Sequence, residues 1–190
     1  MVEKEKKDIL SEKRAEQLLR HKISETYLEL LKTKEASSIS ITEVAKAAGV
    51  SRMAFYRSFE DKESMVDFFL GGIMHWEIAY NEETGEDFSI WDRQFIIRFF
   101  EAMYRHREAI LLLSERGYAK ILLEALNRTT ENASGDMSIK SIERYDLYFL
   151  AGAAFNSARF WLQNDCKETP DEMADALLSR FGFRECVNDL

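Results

Sequence analysis

Residues 39–62, ISITEVAKAAGVSRMAFYRSFEDK, constrain this chain more than any other stretch, because they read as two short helical patterns that meet at a glycine. The first covers 42–48, with Thr42 as its expected N-cap and with Val44, Ala45 and Ala48 on one face. Gly49 ends it, since glycine tolerates positive φ, and Val50 is an apolar plug that fixes the angle between the two helices. Ser51 is expected to cap the second pattern, 52–59. There Phe55 and Phe59 lie four residues apart and face inward, which leaves Arg52, Met53, Tyr56 and Arg57 outward or at the rim. An outward face of arginine and tyrosine behind a short first turn suits the groove of a duplex. The pattern is that of a helix-turn-helix, whose second helix reads base edges while the first crosses the phosphate backbone.

The same residues resemble one family, the tetracycline-repressor-like (TetR) transcriptional regulators. Its signature runs hydrophobic-Thr-x-x-hydrophobic-Ala-x-x-Ala-Gly-Val-Ser-x-x-x-Phe-Tyr-x-x-Phe-x-x-Lys-Glu. Here Ile41, Thr42, Val44, Ala45, Ala48, Gly49, Val50, Ser51, Phe55, Tyr56, Phe59, Lys62 and Glu63 carry it without a gap, with departures from the commoner family residues at Ala54 and Ser58. By motif the resemblance covers the N-terminal part of the chain, and by helical architecture the whole of it. It implies a DNA-reading head joined by the fourth helix to an effector-binding body, and a homodimer built from the last two helices of each subunit.

Punctuation along the chain agrees with an all-α fold. One proline and eight glycines in 190 residues are too few for the turns of a β protein, and 46% hydrophobic content can fill a core. The net charge of −8 is unevenly placed: residues 1–65 carry 13 Lys or Arg against 12 Asp or Glu, and 66–190 carry 13 against 22. The head is therefore weakly basic and the body acidic, which is compatible with phosphate binding at one end. The charged start MVEKEKKD is unlike a secretion signal and no apolar run is long enough to span a bilayer, so a cytoplasmic protein with no membrane role is expected. Cys166 and Cys186 are too far apart in sequence to suggest a disulfide framework, and reduced thiols are expected.

In chain order, 1–10 reads as a frayed arm and 11–31 as an amphipathic first helix on Leu19, Ile23, Tyr27, Leu30 and Leu31. A polar loop, 32–40, leads into the motif. A fourth helix is expected over 62–81, with Lys62 at its N-terminus, where free amides and a positive dipole end would favour a phosphate. Gly71 and Gly72 inside it each cost about 0.8 to 1 kcal/mol relative to alanine. They mark either a hinge or the close approach of a neighbouring helix. An acidic loop, 82–87, precedes a fifth helix with a broad apolar face. A sixth is read over 108–115, stopped by Gly117, a seventh over 118–127, and 128–138 as a loop. The longest helix, 139–163, clusters Ala151, Gly152, Ala153, Ala154, Ser157 and Ala158, a surface that lets another backbone come near. After a loop at 164–169, Pro170 opens a final helix, 171–181. Nine helices result, divided into a DNA-binding head over 1–62 and an effector-binding and dimerisation body over 63–190.

No nucleophile elbow, Walker loop, dinucleotide fingerprint or zinc-binding helix motif is present, so neither catalytic residues nor a cofactor nor a metal is expected. His21, His75 and His106 are scattered and read as structural. The expected DNA contacts are Thr42, Ser51, Arg52, Met53, Tyr56, Arg57 and Lys62. An apolar effector pocket is assigned to Trp76, Tyr80, Trp91, Phe95, Phe99 and Phe155. The dimer interface is assigned to Ala151, Ala154, Ala158, Trp161, Leu177 and Phe181. The expected function is a sequence-specific transcriptional regulator, a ligand-responsive repressor acting as a homodimer on double-stranded DNA, with a small-molecule effector as further partner. The alternative is a regulator-like interaction protein that works through another regulator.

Overall fold

The computed structural model describes residues 2–81, 86–87, 92–133, 142 and 144–180. Among these, nine α-helices carry the fold: α1 (Val2–Leu31), α2 (Ile41–Ala47), α3 (Arg52–Ser58), α4 (Lys62–Gly72), α5 (Arg93–Arg105), α6 (Arg107–Leu113), α7 (Ala119–Ala133), α8 (Arg144–Gln163) and α9 (Pro170–Arg180). A π-helical segment, Ile73–Ala79, follows α4, and a turn kinked at Gly117, Ser114–Tyr118, follows α6. Tyr80–Asn81 pairs antiparallel with Glu86–Asp87, in a stretch expected to be helix end and loop. The chain divides into two compact units, Met1–Leu70 with Arg116–Tyr118, and Gly71–Glu115 with Ala119–Leu190.

The first unit is built on α1. Ile23, Tyr27, Leu28 and Leu31 form one buried stripe along it. The helix begins at Val2, where a frayed arm was expected, because the segment has no glycine or proline and is rich in Glu, Lys and Leu. Ser40, not Thr42, caps α2: its hydroxyl accepts from the Glu43 amide at 3.2 Å, while Thr42 lies exposed inside the first turn. Ile39, buried just ahead of that cap, fixes where the chain enters the helix. The α2 terminus closes as a Schellman motif. Val50 N–H donates to Ala45 C=O at 2.9 Å and Gly49 N–H to Lys46 C=O at 3.1 Å, with Gly49 at φ +68, where a side chain would be strained. Ser51 then accepts from the Ala54 amide at 3.0 Å and starts α3.

The boundary of this unit falls after Leu70, later than the expected break after Lys62, because the early turns of α4 share its packing. Phe68 meets His21 and Phe59 edge-on, and the Arg20 guanidinium sits 4.2 Å from its ring centroid. Arg116–Tyr118 joins the same unit by three contacts. Arg116 Nε donates to the Leu31 carbonyl at 3.1 Å, satisfying one of the last acceptors of α1, and Arg116 also pairs with Glu35. The Tyr27 and Tyr118 hydroxyls hydrogen-bond to each other in the core. Burial pushes both phenols above their ordinary pKa, so both stay protonated.

In the second unit α5 packs against α9 and α7 against α8. Phe95, Ile96, Phe99, Phe100 and Met103 fill the α5 side. Arg93 ties α5 to α9 through Asp171 at 3.2 Å and Asp175 at 2.8 Å, and its guanidinium holds the Asp175 carboxyl below the ordinary carboxylate range. Helix α7 runs to Ala133, through part of the stretch expected as a loop; Thr129 and Thr130 there bond back to Ala125 and Asn127 carbonyls and keep the turn helical. At the start of α9, Thr169 and Glu172 cap each other's amides, with Pro170 in the first turn as expected.

Gly71 and Gly72 end α4 immediately before the π segment. A methyl group on either would meet nothing within 4 Å among the described residues. Close packing of a neighbouring helix is therefore not what these glycines serve.

Candidate functional site

Buried phenylalanines hold the outward face of α3 in place. Phe55 and Phe59 are buried on one side of the helix, their ring centroids 6.2 Å apart. Fully burying a side chain of this size stabilises by about 1.5–3 kcal/mol, and the register that buries both rings turns Arg52, Met53, Tyr56 and Arg57 to solvent. Met53 is 75% exposed and Tyr56 50%. Tyr56 stacks edge-on against Phe55 at 5.5 Å, which steadies its ring and leaves its hydroxyl available. Thr42 and Ser51 are exposed on the same motif, and Lys46, in the last turn of α2, adds an exposed cation that the sequence reading did not single out.

Lys62 is placed differently from expectation. Its ammonium donates to the Ala36 carbonyl at 2.5 Å and the Ile39 carbonyl at 3.2 Å, stapling the loop before α2 to the start of α4. One amide in the first turn of α4 is also taken, because the Asp61 carboxylate accepts from Ser64 N–H at 2.7 Å, while Ser64 Oγ accepts from Asp61 N–H at 3.2 Å. In sequence Lys62 looks like a surface charge at a helix end. Only the path of a loop more than twenty residues earlier makes it a structural donor.

The second unit contains a cavity of about 10 Å3, room for roughly one water. Phe99 and Phe155 of the expected pocket line it, whereas Phe95 is packed in the core. The Trp76 and Tyr80 side chains and all of Trp91 lie outside the described residues. The remaining wall includes Met74, Ser114 and Arg159, none of which carries a sequence signal for a cavity. Ala158, expected at a dimer seam, lines it too.

The small-residue cluster on α8 is turned inward. Ala151, Ala154, Ala158 and Trp161 are buried within the single chain, as is Leu177 on α9, so none of them presents a surface to a second subunit. Phe181 lies outside the described residues. The physical reason is that small side chains serve close packing inside the unit as well as between subunits, and the sequence does not distinguish the two. The opposite face of α8 carries Tyr145, Phe149 and Phe160 at 61%, 64% and 69% exposure. At 100° per residue Phe149 and Phe160 fall within about 20° of each other, on one stripe.

The capped, glycine-bent helix pair thus presents two arginines, a tyrosine and a methionine on its second helix, and the chain is a DNA-binding transcriptional regulator. Residues 25–67 match the family described as "Bacterial regulatory proteins, tetR family". The match falls on the helix-turn-helix and on the helices that flank it. No curated protein matches the sequence. Among solved structures the fold is similar to a TetR transcriptional regulator from Streptococcus agalactiae 2603V, with TM-score 0.60 at 16% identity over 90% of this chain and 98% of that one. It is also similar to a tetR-family regulator from Streptomyces coelicolor, at 0.54 and 18% over 85% and 80%, and to the fatty acid degradation regulator FadR from Bacillus halodurans, at 0.53 and 15% over 87% and 96%. No helix among the described residues is long and apolar enough to cross a membrane.

Proposed function

We propose that the chain is a ligand-responsive repressor that binds a near-palindromic operator as a homodimer, its two heads entering successive major grooves about 34–36 Å apart. The outward face of α3 carries this reading. Arg52 and Arg57 supply base or phosphate contacts, Met53 packs on a thymine methyl, and Tyr56, Thr42 and Ser51 donate to phosphate oxygens. Lys62 contributes chiefly by holding the loop before α2, with its remaining N–H directed to phosphate. The second subunit docks on the exposed stripe of α8 through Tyr145, Phe149 and Phe160, and a small molecule entering the body cavity changes affinity for DNA.

Electrophoretic mobility shift of DNA from upstream of the chain's own coding region tests the first part. Specific binding should appear. Arg52→Ala should relax preference at one base position by about 1–3 kcal/mol. A double Phe149→Asp, Phe160→Asp protein, altered only at exposed positions, should sediment as a monomer and lose cooperative operator binding. An unaltered dimer would move the interface off α8, and binding indifferent to Arg52 would remove α3 from the groove.

A further inference from the structure

The body cavity has one charged wall residue among those described, Arg159 on α8; all the others are apolar except Ser114. Arg159 makes no hydrogen bond or ion pair among the described residues, in a stretch of the chain, 66–190, that holds 22 acidic residues against 13 basic ones. Arginines in such a field ordinarily find a carboxylate. Arg93, Arg105, Arg116 and Arg144 all do so in this molecule. Ser114 donates its hydroxyl to the Ile110 carbonyl at 2.9 Å, so its proton is already used within the helix.

We propose that the effector is a monoanionic amphiphile, a hydrocarbon chain or ring bearing one carboxylate, with its apolar part in the cavity and its carboxylate on Arg159. The guanidinium fork matches a carboxylate with two parallel hydrogen bonds, and an apolar lining gives the hydrocarbon a place that water leaves without cost. At about 10 Å3 the cavity is too small for such a ligand, so its walls must yield. Two of them are built to. Met74 lies in the π segment Ile73–Ala79, and Ser114 opens the turn Ser114–Tyr118, which is kinked at Gly117 with φ 91. A π turn can return to α geometry by shifting one residue along the helix, which carries the lining residue with it. Met74 and Met103 are also the side chains best able to re-form around a guest. The chain passes between the two units within the second of these segments, at Glu115/Arg116, and at its end, at Tyr118/Ala119, and the first segment begins two residues after the passage at Leu70/Gly71.

The assignment rests on the reading of the body as an effector site, and three probes of equal chain length separate the two. Decanoate, methyl decanoate and decyltrimethylammonium, each below its micelle concentration, are titrated calorimetrically into the full chain. Decanoate should bind about tenfold or more tightly than the ester, by the usual worth of a charge-assisted hydrogen bond. Added salt should narrow that gap. Arg159→Gln should abolish it while leaving ester affinity unchanged, and Arg159→Glu should reverse the order in favour of the cation. Both substitutions are at an exposed position, and circular dichroism verifies that the fold survives them. Equal binding of all three probes, or a decanoate preference untouched by Arg159→Gln, would overturn the carboxylate assignment and leave the cavity as an effector site. Failure of all three to bind would overturn both.

Discussion

Replacing Gly71 and Gly72 together with alanine tests how the two units communicate. Neither glycine is among those at positive φ, and a methyl group at either position meets nothing within 4 Å among the described residues, so alanine fits the existing backbone. Each exchange should then recover the helix propensity that glycine gives up, about 0.8–1 kcal/mol, or close to 2 kcal/mol for the pair. For a chain of 190 residues this raises the melting temperature by roughly 4–8 °C. The functional consequence follows from position: the glycines sit where α4 gives way to the π segment Ile73–Ala79 and where the first unit ends. Two added methyls favour regular α-helix there. The variant should still bind operator and effector, but each ligand should change affinity for the other by less than in the parent, where coupling of about 1–3 kcal/mol is typical. A thermal melt and a paired titration, operator binding with and without effector, read both quantities. A fall in melting temperature would refute the free-space argument. A rise with undiminished coupling would refute the hinge and leave the glycines as tolerated passengers.

Three further outcomes follow from particular contacts. Lys62→Ala should destabilise the protein by about 1.5–3 kcal/mol, since it removes a charged donor from the Ala36 and Ile39 carbonyls, whereas Arg57→Ala should leave the melt within about 0.5 kcal/mol and reduce the salt slope of DNA binding by about 0.9. A Lys62→Ala protein that melts like the parent would dismiss the staple. Tyr27→Phe alone strands the buried Tyr118 hydroxyl and should cost about 1–3 kcal/mol, while Tyr27→Phe with Tyr118→Phe should cost less than the two single changes summed; additive losses in denaturant titrations would show that the hydroxyls are not partners. Because Arg93 holds the Asp175 pKa below its ordinary 3.8, that carboxylate stabilises the fold above this value and the contribution disappears as pH falls through the lowered one. Asp175→Asn should therefore flatten the loss of melting temperature below about pH 4, and superimposable acid limbs would rule the pair out as a source of acid sensitivity.

The helix-turn-helix was legible residue by residue because its determinants are local. Gly49 must take a left-handed conformation, Ser51 must cap, and Phe55 and Phe59 at spacing four must share a face, so Arg52, Met53, Tyr56 and Arg57 had only the outside left to them. All-α character came from equally local facts, the scarcity of proline and glycine and the period of the apolar residues. Even the wrong cap had a local remedy, since Ser40 precedes Glu43 at capping-box spacing. The features that tertiary structure decided are those whose meaning depends on what lies opposite. Lys62 became a staple because the loop carrying Ala36 and Ile39 passes beside it. Ala151, Ala154 and Ala158 became an internal seam because α8 turns them toward its own unit, which left Tyr145, Phe149 and Phe160 outside. Arg159 reached a cavity wall, and Arg116 and Tyr118 joined a unit assembled mainly from residues far earlier in the chain. Periodicity along a helix says which residues share a face; it carries no information about what that face meets, because the partner is brought there by folding of distant segments.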